Sequence, residues 1–170
     1  MAAGRKYISG HFHFNKNIWE AYRDQYSWIT ILRDPIKRYI SQYFFDAYKP
    51  ENHARVSDSL EDFIDSERGK FRGQNYINYF GNFSRYDSTD LQTRLEIAKK
   101  NLSKFSLVSF LDNLEQFTND LQAQFNLTVK IPHMNKNPVS KPQIDQSIMK
   151  KIEEICEYDS MFYAYARKNF

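Results

Sequence analysis

Two apolar runs stand out against an otherwise mixed chain. Residues 27–32, Ser27-Trp28-Ile29-Thr30-Ile31-Leu32, are apolar and β-branched, which predicts a short buried strand. Residues 105–110, Phe105-Ser106-Leu107-Val108-Ser109-Phe110, have the same character and predict another. Tyr7-Ile8-Ser9 reads as the end of an earlier strand. Elsewhere the apolar spacing lengthens to that of a helix. A short helix over 17–24 carries Trp19 and Tyr22. After the strand at 27–32, Asp34 can cap a helix and Pro35 suits its first turn, where the missing N–H has no helical partner to lose. That helix ends near Tyr48-Lys49-Pro50, before a polar loop over 50–57. Ser59 caps another short helix over 59–64.

Residues 68–85 hold Gly, Asn and five aromatics, with Tyr86 just beyond, and read as an irregular or short-helical insert, the kind of region that often carries binding residues. Thr89-Asp90-Leu91-Gln92 has capping-box form and opens a helix through about Leu102, with Leu91, Leu95, Ala98 and Leu102 as its apolar stripe. A helix starting within 112–115 buries Leu114, Phe117, Leu121 and Phe125. A loop over 129–142 with three prolines follows, then helices over 145–156 and 159–169. Strands alternating with helices predict an α/β fold, a parallel sheet flanked by helices, in a single domain over 1–170.

Composition narrows the function classes. With 41% hydrophobic and 16% aromatic residues the chain can build a core, and 26% charged residues with mean hydropathy −0.72 predict a soluble protein. Net charge is only +3, from 24 basic and 21 acidic residues, which makes no case for nucleic acid as a partner. It suits an anionic nucleotide, and an anionic glycan, if the positive charge is focused in a cleft. One cysteine, Cys156, excludes an intrachain disulfide and a Cys-rich metal site. No signal peptide and no transmembrane stretch is evident. Asn82, Asn101 and Asn126 each begin an Asn-x-Ser/Thr triplet.

The chemistry concentrates at Arg33-Asp34-Pro35-Ile36-Lys37-Arg38-Tyr39-Ile40-Ser41. Arg33 falls at a strand's carboxyl end, where open α/β sheets bind ligands. Arg38 and Ser41 are three apart and share a helix face. Two arginines and a hydroxyl so placed form a grip for a phosphate; the other reading is a helix start with both arginines solvated.

Strand-Arg-Asp-Pro-x-x-Arg-x-x-Ser-x-Tyr resembles the 3′-phosphate-binding motif of sulfotransferases that use 3′-phosphoadenosine 5′-phosphosulfate (PAPS). Within that superfamily the chain is most similar to the Golgi-type carbohydrate enzymes, the heparan sulfate 2-O-sulfotransferase group in particular. Supporting blocks are Gly10-His11-Phe12-His13-Phe14, the 105–110 run with Leu114-Glu115-Gln116-Phe117, and Asp159-Ser160-Met161-Phe162-Tyr163. The resemblance implies a P-loop-kinase-like fold, PAPS as co-substrate, a carbohydrate hydroxyl as acceptor, and no metal. It implies that Arg33 and Ser41, with Arg38, bind the 3′-phosphate, and that Lys136 in the late loop faces the nucleotide phosphates. His11 matches the position of the catalytic base. His13, on the same face if the segment is extended, contacts acceptor or replaces His11. Glu20 is a weaker alternative base. Gln74, Asn75 and Tyr76 match a segment near acceptor and nucleotide, and Arg72 and Arg85 could meet an acidic sugar.

One departure matters. Relatives begin with a strand and a Lys/Arg-containing loop that cradles the 5′-phosphosulfate, upstream of the Gly-His block. Only nine residues precede Gly10 here, and they hold no such element, so the expected fold lacks its first βα unit. The chain is then a fragment, lacks the element, or receives it from a partner. The alternative function is a catalytically inactive nucleotide-binding or interaction module. The expected compartment is the cytoplasm for a bacterial protein and the Golgi lumen for an excised eukaryotic domain.

Overall fold

A computed structural model describes residues 8–50, 53–131 and 142–170. Along them the chain forms α1 (Lys16–Tyr22), β1 (Ile29–Leu32), α2 (Pro35–Tyr48), α3 (Leu60–Asp65), α4 (Glu67–Gly73), α5 (Asn75–Gly81), α6 (Leu91–Leu102), β2 (Leu107–Phe110), α7 (Leu114–Phe125), α8 (Gln146–Ile155) and α9 (Glu157–Asn169). The fold is mixed and helix-dominated, an α/β arrangement in the coarse sense.

The two strongest apolar runs become its strands. β1 and β2 pair in parallel, in register from Ile29↔Leu107 to Leu32↔Phe110. Each strand is shorter than its apolar run. The Trp28 carbonyl accepts from the N–H groups of Ser106 and Leu107 at 2.8 and 3.3 Å, so the chains meet there before the ladder begins. The earlier strand expected at Tyr7-Ile8-Ser9 is not found in its described part. Ile8 and Ser9 carry no strand and Ile8 is 69% exposed, while Tyr7 lies outside the described residues.

Alternation along β2 divides the core. Val108 and Phe110 pack with Leu32 against Tyr76, Ile77 and Phe80 of α5, Leu95, Ala98 and Leu102 of α6, and Phe162 and Ala166 of α9. Leu107 points to the opposite face, where Phe117 and Leu121 of α7 cover it. A period of two along the strand therefore sends successive side chains into two different helix layers. A separate cluster joins Tyr39, Tyr43 and Phe44 of α2 to Phe63 and Ile64 of α3 and Ile148 and Ile152 of α8, with Cys156. Burial pushes the Cys156 thiol up to about 12, which makes it an inert packing group.

Local chemistry sets the helix starts. Asp34 and Ser59 cap α2 and α3 as expected, accepting from the N–H groups of Lys37 (2.8 Å) and Asp62 (3.1 Å). The α6 cap is Asp90 rather than Thr89. Its carboxylate takes both the N–H (2.9 Å) and the hydroxyl (2.7 Å) of Thr93, while the Thr89 carbonyl is used by Arg94 Nε. The insert after residue 68 is ordered as α4 and α5. At the other end of the chain, Asp159 does not open the last helix. It lies inside α9 and is fully buried.

Candidate functional site

β1 ends at Leu32, which leaves Arg33 to turn the chain from strand into helix. Pro35 occupies the start of α2 and the Asp34 carbonyl accepts the Arg38 N–H at 2.8 Å, closing the first turn. The Arg33 backbone is held by one group from far along the chain. The Tyr76 hydroxyl donates to the Arg33 carbonyl (2.7 Å) and accepts the Arg33 N–H (2.8 Å). Burial pushes the Tyr76 phenol up to about 12, so its proton stays in place to make the first of these bonds. The Arg33 side chain is half-buried, and among the described residues its guanidinium has no hydrogen-bond or ion-pair partner. Ser41, half-buried on α2, likewise has none for its hydroxyl among the described residues.

Arg38 does something different from what its spacing with Ser41 implies. Its side chain is 12% exposed, and Nη2 donates to the Arg72 carbonyl (2.8 Å) and to Asp159 Oδ2 (3.4 Å). Its guanidinium lies 5.2 Å from the centre of the Tyr76 ring. The charge of Arg38 is therefore used inside the protein. Arg72, expected near an acidic sugar, pairs with the buried Asp46, which also holds Lys49 at 3.2 Å. Gln74 ends α4 and precedes α5, and its side chain makes no capping bond. Asn75 is the first residue of α5 and is half-buried.

The missing cap is supplied by Asp159, from another helix. Its carboxylate accepts from the N–H groups of Tyr76 (2.8 Å) and Ile77 (3.1 Å), two of the donors a helix start leaves unpaired. Burial pushes the Asp159 carboxyl up to about 6, against the pull of Arg38 and the backbone N–H groups. Sequence reasoning placed Asp159 at a helix start and in a block of the family resemblance, with no role as a buried cap. The available signal was the α9 stripe, where Asp159, Phe162 and Ala166 fall on one helix face and are all buried.

A pH dependence follows. The unfolded carboxyl loses its proton near pH 3.8, the folded one near 6, so between these values the native state holds the extra proton. The contribution of Asp159 to stability then falls as pH rises through this window and is level above it. Denaturant titrations from pH 4 to 7 on the wild type and Asp159→Asn should differ by a term of this sign, absent from the variant.

The Gly-His block attaches one turn further along α5. The Phe14 N–H donates to the Tyr79 carbonyl (2.8 Å), and the His13 ring stacks on Tyr79 with centroids 4.2 Å apart. Phe14 is buried against Trp28 and Phe105, which anchors the segment beside the sheet. His11 and His13 are both exposed. Tyr76 and Tyr79, three residues apart, share a helix face, so α5 touches the Arg33 turn with one and the His13 segment with the other. Lys104, which sequence reasoning passed over, lies 4.8 Å from the Phe14 ring and 5.0 Å from that of Trp19. Glu20 stays on the surface of α1, paired with Lys16 at 3.6 Å. Lys136 lies outside the described residues.

No family model matches this chain, and no curated protein matches it significantly. Among the described residues, no group of three or more His, Cys, Asp or Glu could hold a metal ion, and no helix is long and apolar enough to cross a membrane.

Proposed function

We propose that this chain is a PAPS-dependent sulfotransferase-like domain acting on a carbohydrate hydroxyl, built on a P-loop-kinase-like fold. The observation that carries the reading is the Arg33 turn. An arginine at the carboxyl end of a parallel strand keeps its guanidinium without a partner among the described residues, while its backbone is fixed by Tyr76. Ser41 on the adjoining helix adds a hydroxyl with the same freedom. These two groups suit a phosphate dianion, to which a guanidinium donates two parallel bonds.

Bound PAPS would supply the sulfuryl group and depart as adenosine 3′,5′-bisphosphate. The residues of this chain bind, orient and move a proton. Arg33 and Ser41 hold the 3′-phosphate, and Arg38 serves them from inside through Asp159 and Tyr76. His11, an exposed imidazole, takes the acceptor hydroxyl's proton. His13, fixed by its stack on Tyr79, orients the acceptor beside it.

Calorimetric titration with adenosine 3′,5′-bisphosphate tests the reading. The wild type should bind and Arg33→Ala should bind roughly 10- to 100-fold more weakly, the worth of a charge-assisted bond to phosphate. The melting temperature should not move, because no side-chain bond among the described residues is lost. A folded wild-type chain that fails to bind would sink the proposal. Binding without sulfuryl transfer from PAPS to any carbohydrate acceptor would leave the inactive nucleotide-binding module in its place.

A further inference from the structure

We infer that Tyr76 is a positioning residue rather than a substrate contact, and that Asp159 acts through it: together they fix the Arg33 turn from behind. The inference takes its ligand from the nucleotide reading above, but its geometry stands without it.

The Tyr76 hydroxyl is used up by the Arg33 backbone, as donor to the carbonyl and acceptor from the N–H. A phenol so engaged, on a ring that is 9% exposed, has no donor left for an acceptor sugar or a phosphate. Its bonds do a specific job. One residue beyond β1, Arg33 has no strand to pair with, and Tyr76 replaces that missing partner and stops the strand there. The orientation of Tyr76 is then set at the other end of the side chain. Asp159 holds the N–H of Tyr76 itself and that of Ile77, while Arg38, bonded to Asp159, covers the ring face. Three residues from three helices converge on one strand end.

The test compares Tyr76→Phe, which keeps the ring and removes the hydroxyl, with Leu121→Ala, which weakens the core on the α7 side. Two quantities are read for each: affinity for adenosine 3′,5′-bisphosphate and the exchange rate of the Arg33 amide hydrogen. Tyr76→Phe should bind about tenfold more weakly and exchange the Arg33 amide at least about tenfold faster. Leu121→Ala should lose stability with affinity unchanged. Asp159→Asn, which keeps one oxygen for the α5 donors, should move both readouts in the same direction as Tyr76→Phe but by less. Equal affinity in Tyr76→Phe and wild type, or an equal loss in Leu121→Ala, would overturn the inference. Should the wild type bind no nucleotide, the nucleotide reading alone fails, and the amide arm still decides. An Arg33 amide that exchanges equally fast in wild type and Tyr76→Phe refutes the clamp.

Discussion

Replacing Asp159 by Ala should cost roughly 3–5 kcal/mol of stability and lower the melting temperature by roughly 6–20 °C. Three losses coincide in one substitution. Arg38 keeps its charge in a largely buried position with no carboxylate beside it. The Tyr76 and Ile77 N–H groups at the start of α5 lose their acceptor. The fully buried carboxylate also leaves a hole among helices packed on all sides. Breaking a buried pair from one end is the expensive direction, because the survivor's desolvation is no longer offset. Asp159→Asn separates the contributions. It fills the space and offers one oxygen to the α5 donors, but brings no charge for Arg38. It should lose less stability than Ala in a thermal melt at pH 7.5. An Ala variant within about 1 kcal/mol of wild type would mean that the pair and the cap contribute nothing net.

The second large effect is expected at Gly69. Alanine in place of glycine inside a helix ordinarily stabilises by roughly 0.5–1 kcal/mol. Here the sign should reverse, to a loss of roughly 3 kcal/mol. A methyl group on Gly69 would run into the Phe63 carbonyl, with the Tyr39 hydroxyl a further 3.1 Å contact. The obstacle is backbone, where α3 passes directly over α4, so no rotamer change relieves it. Gly81 supplies the comparison. Its methyl would meet only the Phe83 ring, a half-buried side chain that can swing aside, so Gly81→Ala should be near neutral. Chemical denaturation of both variants checks the contrast, and an unchanged midpoint for Gly69→Ala would show that α3 and α4 are free to separate.

What the sequence discloses here is mostly local. Asp34 and Ser59 are legible as caps because a helix start needs only the next three residues to declare itself. The Phe117 and Leu121 stripe of α7 is legible for the same reason, since its period needs no partner to be seen. The insert at 68–85 is legible as an irregular or short-helical stretch but not as two defined helices, because α5 has no side-chain cap of its own: the cap arrives 83 positions later. Arg38 shows the limit most clearly. Its three-residue spacing from Ser41 fixes a common face but says nothing about which way that face looks, and its carboxylate partner is 121 positions away. Arg33 could be placed at a strand end from sequence, whereas the hydroxyl that holds it could not.

Those long spans have a consequence for how the protein is made. The Arg33 turn is closed by a bond across 43 positions to Tyr76, and Tyr76 is in turn set by a bond across 83 to Asp159. A chain leaving the ribosome therefore exposes β1 and α2 long before anything can hold the turn between them. The grip on Arg33 is among the last features to assemble, and it depends on α9, which holds little of the proposed chemistry, docking against α5 and α6. Losing the last helix would thus remove the proposed phosphate site as surely as losing the arginine.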